Sequence, residues 1–102
     1  MHRIASLALF LVVFCISTVT RAADEILIGH YGAMTGGTAT FGVSTDEGIR
    51  LALEAINAKG GVLGKPVKVI TQDTQGRPEE AVTAVQKLIN QDKVVAVLGE
   101  VA

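Results

Sequence analysis

The groups best suited to chemistry crowd into fourteen residues, Gly29-His30-Tyr31-Gly32-Ala33-Met34-Thr35-Gly36-Gly37-Thr38-Ala39-Thr40-Phe41-Gly42. Five glycines in this stretch let the backbone reach positive φ and let another group approach it closely. It joins an apolar run, Ile26-Leu27-Ile28, to a helix expected to begin near Ser44. A loop between a strand and a helix lies where open α/β sheets bind ligands. The helix N-terminus adds a partial positive charge there. Two phosphate chemistries fail on their own motifs. Gly32 to Gly37 has the Walker A spacing, but Thr38 stands where the lysine that reaches the phosphates is required. The dinucleotide pattern G-x-G-x-x-G does not occur. No cofactor is implied.

The ionisable groups give no catalytic constellation. His30 has no nearby cysteine or patterned carboxylates and reads as a structural or surface histidine. Asp73 and Glu100 stand at strand ends and read as solvated loop acids, because nothing positions a nucleophile or metal beside them. What remains is recognition: Thr35, Thr38, Thr40 and free backbone N–H groups can hydrogen-bond a small polar or anionic ligand. Phe41 has two readings, a cover for an apolar part of that ligand or a staple against the following helix.

The elements that would position these groups alternate. Ile26 to Tyr31 reads as a strand, apolar at its start as when both faces are covered. Ser44 with Glu47 makes a capping box, and Asp46 and Glu47 favour the dipole of the helix they open. Ile49, Ala52, Leu53 and Ile56 form its apolar face, and Asn57-Ala58-Lys59-Gly60-Gly61 closes it. Gly64-Lys65-Pro66 turns into a second strand, Val67 to Gln72, which Lys68 marks as nearer a sheet edge. Pro78, Glu79 and Glu80 suit the first turn of a second helix. Its stripe is Ala81, Val82, Ala84, Val85, Leu88 and Ile89. Val94 to Leu98 is the most apolar strand and reads as central. The order β-α-β-α-β implies right-handed crossovers and a parallel sheet of the α/β class. The polarity ranking suggests spatial order 2-1-3, with the binding crevice at the carboxyl ends of strands 1 and 3.

Residues 1–22 read as a cleaved secretory signal. Met1-His2-Arg3 is a basic start, Ile4 to Val19 is uncharged, and Thr20-Arg21-Ala22 ends in small residues. Sixteen uncharged residues fall short of the roughly 20 needed to span a bilayer. The single cysteine, Cys15, would leave with this segment, which excludes a disulfide scaffold, a thiolate metal site and a cysteine nucleophile. Loss of Arg3 and Arg21 leaves seven basic residues against ten acidic ones, so nothing attracts nucleic acid or anionic membrane. The 80 residues that follow lie below the usual domain size of about 100–150. They stop at Gly99-Glu100-Val101-Ala102, directly after an apolar strand, so truncation is expected.

From Ile26 to Ala102 the chain resembles the N-terminal lobe of periplasmic leucine/isoleucine/valine-binding proteins, the type I solute-binding proteins of ABC amino-acid importers. The resemblance rests on Gly32-Ala33-Met34-Thr35-Gly36, Phe41-Gly42 and Ile56-Asn57-Ala58-Lys59-Gly60-Gly61-Val62-x-Gly64. Asp73, Pro78 with Ala81-Val82, and Leu98-Gly99 continue it. It implies part of one of two α/β lobes that close on an amino acid, in a periplasmic protein that is monomeric at full length and docks on a membrane permease. Carried over by position, it implies that Phe41 touches the ligand and that Val101 and Ala102 begin a loop lining the cleft. The family's serine contact, its second lobe and its ammonium-binding acid would follow Ala102, so the stretch present is expected not to bind on its own. An extracellular sensing domain for amides or other small solutes is the alternative. Sugar-responsive transcription regulators share the fold but begin with a DNA-binding helix-turn-helix.

Overall fold

The computed structural model describes residues 24–102. The signal-peptide reading of residues 1–22, with Cys15, lies outside them. The described residues form β1 (Ile26–Gly32), α1 (Ala39–Ala58), β2 (Val67–Asp73), α2 (Pro78–Asn90) and β3 (Ala96–Gly99). β1 pairs in parallel with both β2 and β3, and the strand order is β2-β1-β3. Ile26 pairs with Val67 and Gly32 with Asp73, while Ile28 pairs with Ala96 and Tyr31 with Gly99. The α/β class, the spatial order and the outer place of β2 agree with the sequence reading.

Side chains alternate across β1, so its two faces serve different helices. Ile26 and Ile28, with Val67 and Val69 of β2, pack on Ile49 and Leu53 of α1. On the opposite face the fully buried Leu88 of α2 packs over Gly29, where a Cβ would come within 2.9 Å of Leu88 Cδ1. Right-handed crossovers running in opposite directions from β1 and β2 place the two helices this way. Asn57 locks the far end of α1 to the sheet. Its Nδ2 donates to the Val67 carbonyl and its Oδ1 accepts from the Val67 N–H, both at 2.8 Å.

Three expectations are corrected. First, α1 begins at Ala39 and not near Ser44. Ala39 N–H donates to Gly36 O and Phe41 N–H to Thr38 O, so backbone turns open the helix without a side-chain cap. Ser44 and Glu47 are therefore interior, and Asp46 is nowhere near the dipole's positive end. The inward face carries Gly42, Asp46, Ile49 and Leu53, while Ala52 and Ile56 are exposed. Second, the stripe of α2 is narrower than read: Ala84 and Leu88 are buried, whereas Val82 and Ile89 are exposed. Third, β1 is the middle strand, and β3 has a neighbour on one side only among the described residues. β1 is the less apolar of the two because it gives up side chains at its centre, to Leu88 at Gly29 and to a polar network at His30.

The five glycines of the organising stretch also serve differently from one another. Gly36 alone among them takes a positive φ, 90°. Gly42 is required by proximity: any Cβ there would collide with the Ala33 carbonyl, because α1 crosses the end of β1 in backbone contact.

Candidate ligand-binding edge

Parallel pairing brings the carboxyl ends of all three strands to one edge. Ala33 to Thr38 follows β1, Thr74 to Arg77 follows β2, and Glu100 to Ala102 follows β3. The first two loops are appressed. A Cβ on Gly36 would lie 2.9 Å from the Gln75 carbonyl, and one on Gly76 would lie 3.0 Å from Thr38 Oγ1. Thr74 N–H donates to Gly32 O at 2.9 Å, extending the β1–β2 pairing into the loops.

Asp73 is not the solvated loop acid expected. Its Oδ1 accepts from Met34 N–H at 2.9 Å, Thr35 N–H at 3.3 Å and Gln75 N–H at 2.8 Å, and its Oδ2 accepts from the Thr35 hydroxyl at 2.6 Å. Partial burial pushes its pKa up, but the bonds from Thr35, Gln75 and Met34 outweigh this and hold the carboxyl below its ordinary range. The N–H groups of Met34 and Thr35 are therefore taken from within the protein. Glu100 is also engaged: the buried Thr74 hydroxyl donates to its Oε1 at 3.2 Å, joining the β3 end to the β2 loop.

His30 is buried, at 1% exposure, beneath this edge on the α1 side of the sheet. Its Nδ1 lies 3.1 Å from Asp46 Oδ1. Asp46 also accepts from Arg50 Nε at 2.7 Å and from the Thr71 hydroxyl. An ionised carboxylate only accepts, so His30 Nδ1 carries the hydrogen of this bond. Burial raises the Asp46 pKa, and the bonds from Thr71, Arg50 and His30 together pull it below the ordinary value. The structural reading of His30 agrees with this geometry. Its partner Asp46 was missed, because the acid interrupts an apolar face that periodicity alone would fill with a hydrophobe.

Phe41 stands in the first turn of α1 at the edge and is 56% exposed. Its ring is less than half covered by the described residues. Val101 is exposed beyond β3. Ala102 borders a hollow of about 150 Å³ with Gly76, Arg77, Pro78, Ala81 and Glu100, over the start of α2. Phe41 does not line that hollow; with α1 and α2 on opposite faces of the sheet, Phe41 and Ala102 flank the edge from two sides. Thr38 makes no capping bond and Thr40 is exposed.

The chain is 39% identical over 80 residues to an amino acid binding protein of Pseudomonas aeruginosa, covering 78% of this chain and 21% of that protein. It is 34% identical over 77 residues to the Leu/Ile/Val-binding protein of Escherichia coli, covering 76% and 21%. Among solved structures, the branched-chain amino acid transporter substrate binding protein LivJ of Streptococcus pneumoniae, in complex with isoleucine, superposes with a TM-score of 0.73. That similarity carries 35% identity over 76% of this chain and 22% of LivJ. The chain thus spans about a fifth of the length of these relatives. Residues 25–102 match the family described as periplasmic binding protein, and the chain belongs to that family.

Proposed function

We propose that this protein is the periplasmic solute-binding component of an ABC importer and takes a branched-chain or similar aliphatic amino acid. The single observation that carries the reading is the similarity of the chain to an isoleucine-bound transporter protein, at 35% identity and a TM-score of 0.73. In this reading Phe41 covers an apolar part of the ligand, and Val101 and Ala102 belong to the loop that faces it. Residues 1–22 direct export and are removed, residues 23–102 are part of the N-terminal lobe, and the mature protein is a monomer that delivers its cargo to a membrane permease. It acts by binding and not by turnover. That is supported by the commitment of the edge's ionisable groups, since His30 is held by Asp46 and Asp73 by the Met34–Thr35 backbone.

The test is thermal denaturation of the intact mature gene product with leucine, isoleucine or valine. A ligand at 100 times its Kd adds about 2.7 kcal/mol of stability. Absence of any shift with all three amino acids would remove the proposed ligand.

A further inference from the structure

A carboxylate that accepts two consecutive backbone N–H groups occupies the kind of concavity that would otherwise bind an anion. At this edge the protein fills it itself. Asp73 reaches from the end of β2 to Met34 N–H, Thr35 N–H and the Thr35 hydroxyl, and folds back on Gln75 N–H. One side chain thereby holds the loops after β1 and β2 in a single arrangement. Those loops also meet at Gly36 against the Gln75 carbonyl and at Gly76 against Thr38. The held segment leads within six residues to Phe41, whose exposed ring rides on the first turn of α1.

From this geometry we infer that Asp73 is a positioning residue that closes the β1–α1 loop from inside, fixing the stance of Phe41 and denying Met34 and Thr35 to an anionic ligand. The inference rests on the proposed binding role of this edge. It corrects the expectation that these backbone N–H groups are free for a ligand. The carboxylate of a bound amino acid must find its donors elsewhere, because Asp73 presents a negative charge where it would approach this loop.

The experiment uses the intact mature gene product in three forms: wild type, Asp73→Ala and Thr35→Ala. Leucine is the titrant, and Kd is measured well below each form's melting onset. The expected result is a loss of affinity of roughly tenfold for Asp73→Ala, the effect of about 1.4 kcal/mol. Thr35→Ala, which removes one of the four bonds, should lose only a few-fold. Backbone amide spectra supply the second readout. The Met34, Thr35 and Gln75 signals should move and lose exchange protection in Asp73→Ala, while those of the core strand residue Val69 stay in place. A purely structural role would lower the melting temperature and leave Kd unchanged in the folded protein, which would overturn the inference. Unmoved Met34 and Thr35 amides would overturn it too. If wild type fails to bind leucine, the proposed ligand falls, and the amide signals alone then decide whether Asp73 holds the loop.

Discussion

Asp46 and Asp73 are two acids on neighbouring elements, each with its carboxylate fully engaged, yet they do different work. Asp46 lies on the inward face of α1 and collects side chains: His30 from β1, Thr71 from β2 and Arg50 from its own helix. It joins a helix to a sheet, with itself and His30 buried and Arg50 reaching out to solvent. Asp73 lies at the strand edge and collects mostly backbone, joining one loop to another. Partners and burial, and not residue type, set what each loss would cost. A buried acid whose removal strands other buried polar groups governs folding, whereas an edge acid governs the shape of a surface.

Replacing each acid separately breaks that contrast most directly. Asp46→Ala should cost about 3–5 kcal/mol in urea unfolding, the scale for removing one partner of a buried charged network. His30 would be left buried with a donor and no acceptor, and the half-buried Thr71 would lose its own acceptor. Asp73→Ala should cost less, about 1–3 kcal/mol, because water reaches most of the groups it releases. Equal costs for the two would mean that the edge clamp is as closed to water as the interior network.

Acid titration sharpens the same comparison. Both carboxyls have folded pKa values below the ordinary 3.8, so each contributes stability that is fully present above 3.8. That contribution is lost as pH falls through the lower folded value, because the unfolded chain then binds more protons than the folded one. The unfolding free energy of wild type should thus be steady from neutral pH to about 4.5 and drop steeply below 3.8. Asp46→Asn should show a shallower drop, and Asp73→Asn a smaller flattening of the same kind. An unchanged slope in Asp46→Asn would mean that this carboxylate is not stabilised by its three partners.

The order of elements and the spatial order 2-1-3 could be read from the sequence because both follow from short-range facts. Strands and helices alternate, crossovers are right-handed, and Lys68 marks an outer strand. The start of α1 could not be read. Ser44-x-x-Glu47 imitates a capping box, while the true start uses carbonyls of Gly36 and Thr38 and needs no particular side chain. Asp46 was illegible for a related reason: its partners lie 16 and 25 positions away, on strands whose register only the folded sheet fixes. Asp73 left a fainter sign. Asp73-Thr74-Gln75-Gly76 has the composition of an Asx turn, and the Gln75 N–H does bond the Asp73 side chain. Its longer reach to Met34, 39 positions back, needed the structure.

Phe41 extends the comparison to a residue whose loss should scarcely touch folding. Its ring is more than half exposed at the start of α1, and the helix there is opened by backbone turns to which the ring contributes nothing. Phe41→Ala should therefore change the unfolding free energy by no more than about 0.5 kcal/mol, as for an ordinary surface position. Its effect on leucine affinity should be far larger. Covering an aromatic ring is worth about 1.5–3 kcal/mol, so Kd should rise roughly tenfold to a hundredfold, at about 1.4 kcal/mol per decade. A fall in stability without a change in Kd would reverse the assignment and make Phe41 a packing residue after all. Between these extremes lies Asp73, whose substitution should move both quantities. Asp46, Asp73 and Phe41 therefore form a graded series running from the interior to the proposed ligand edge.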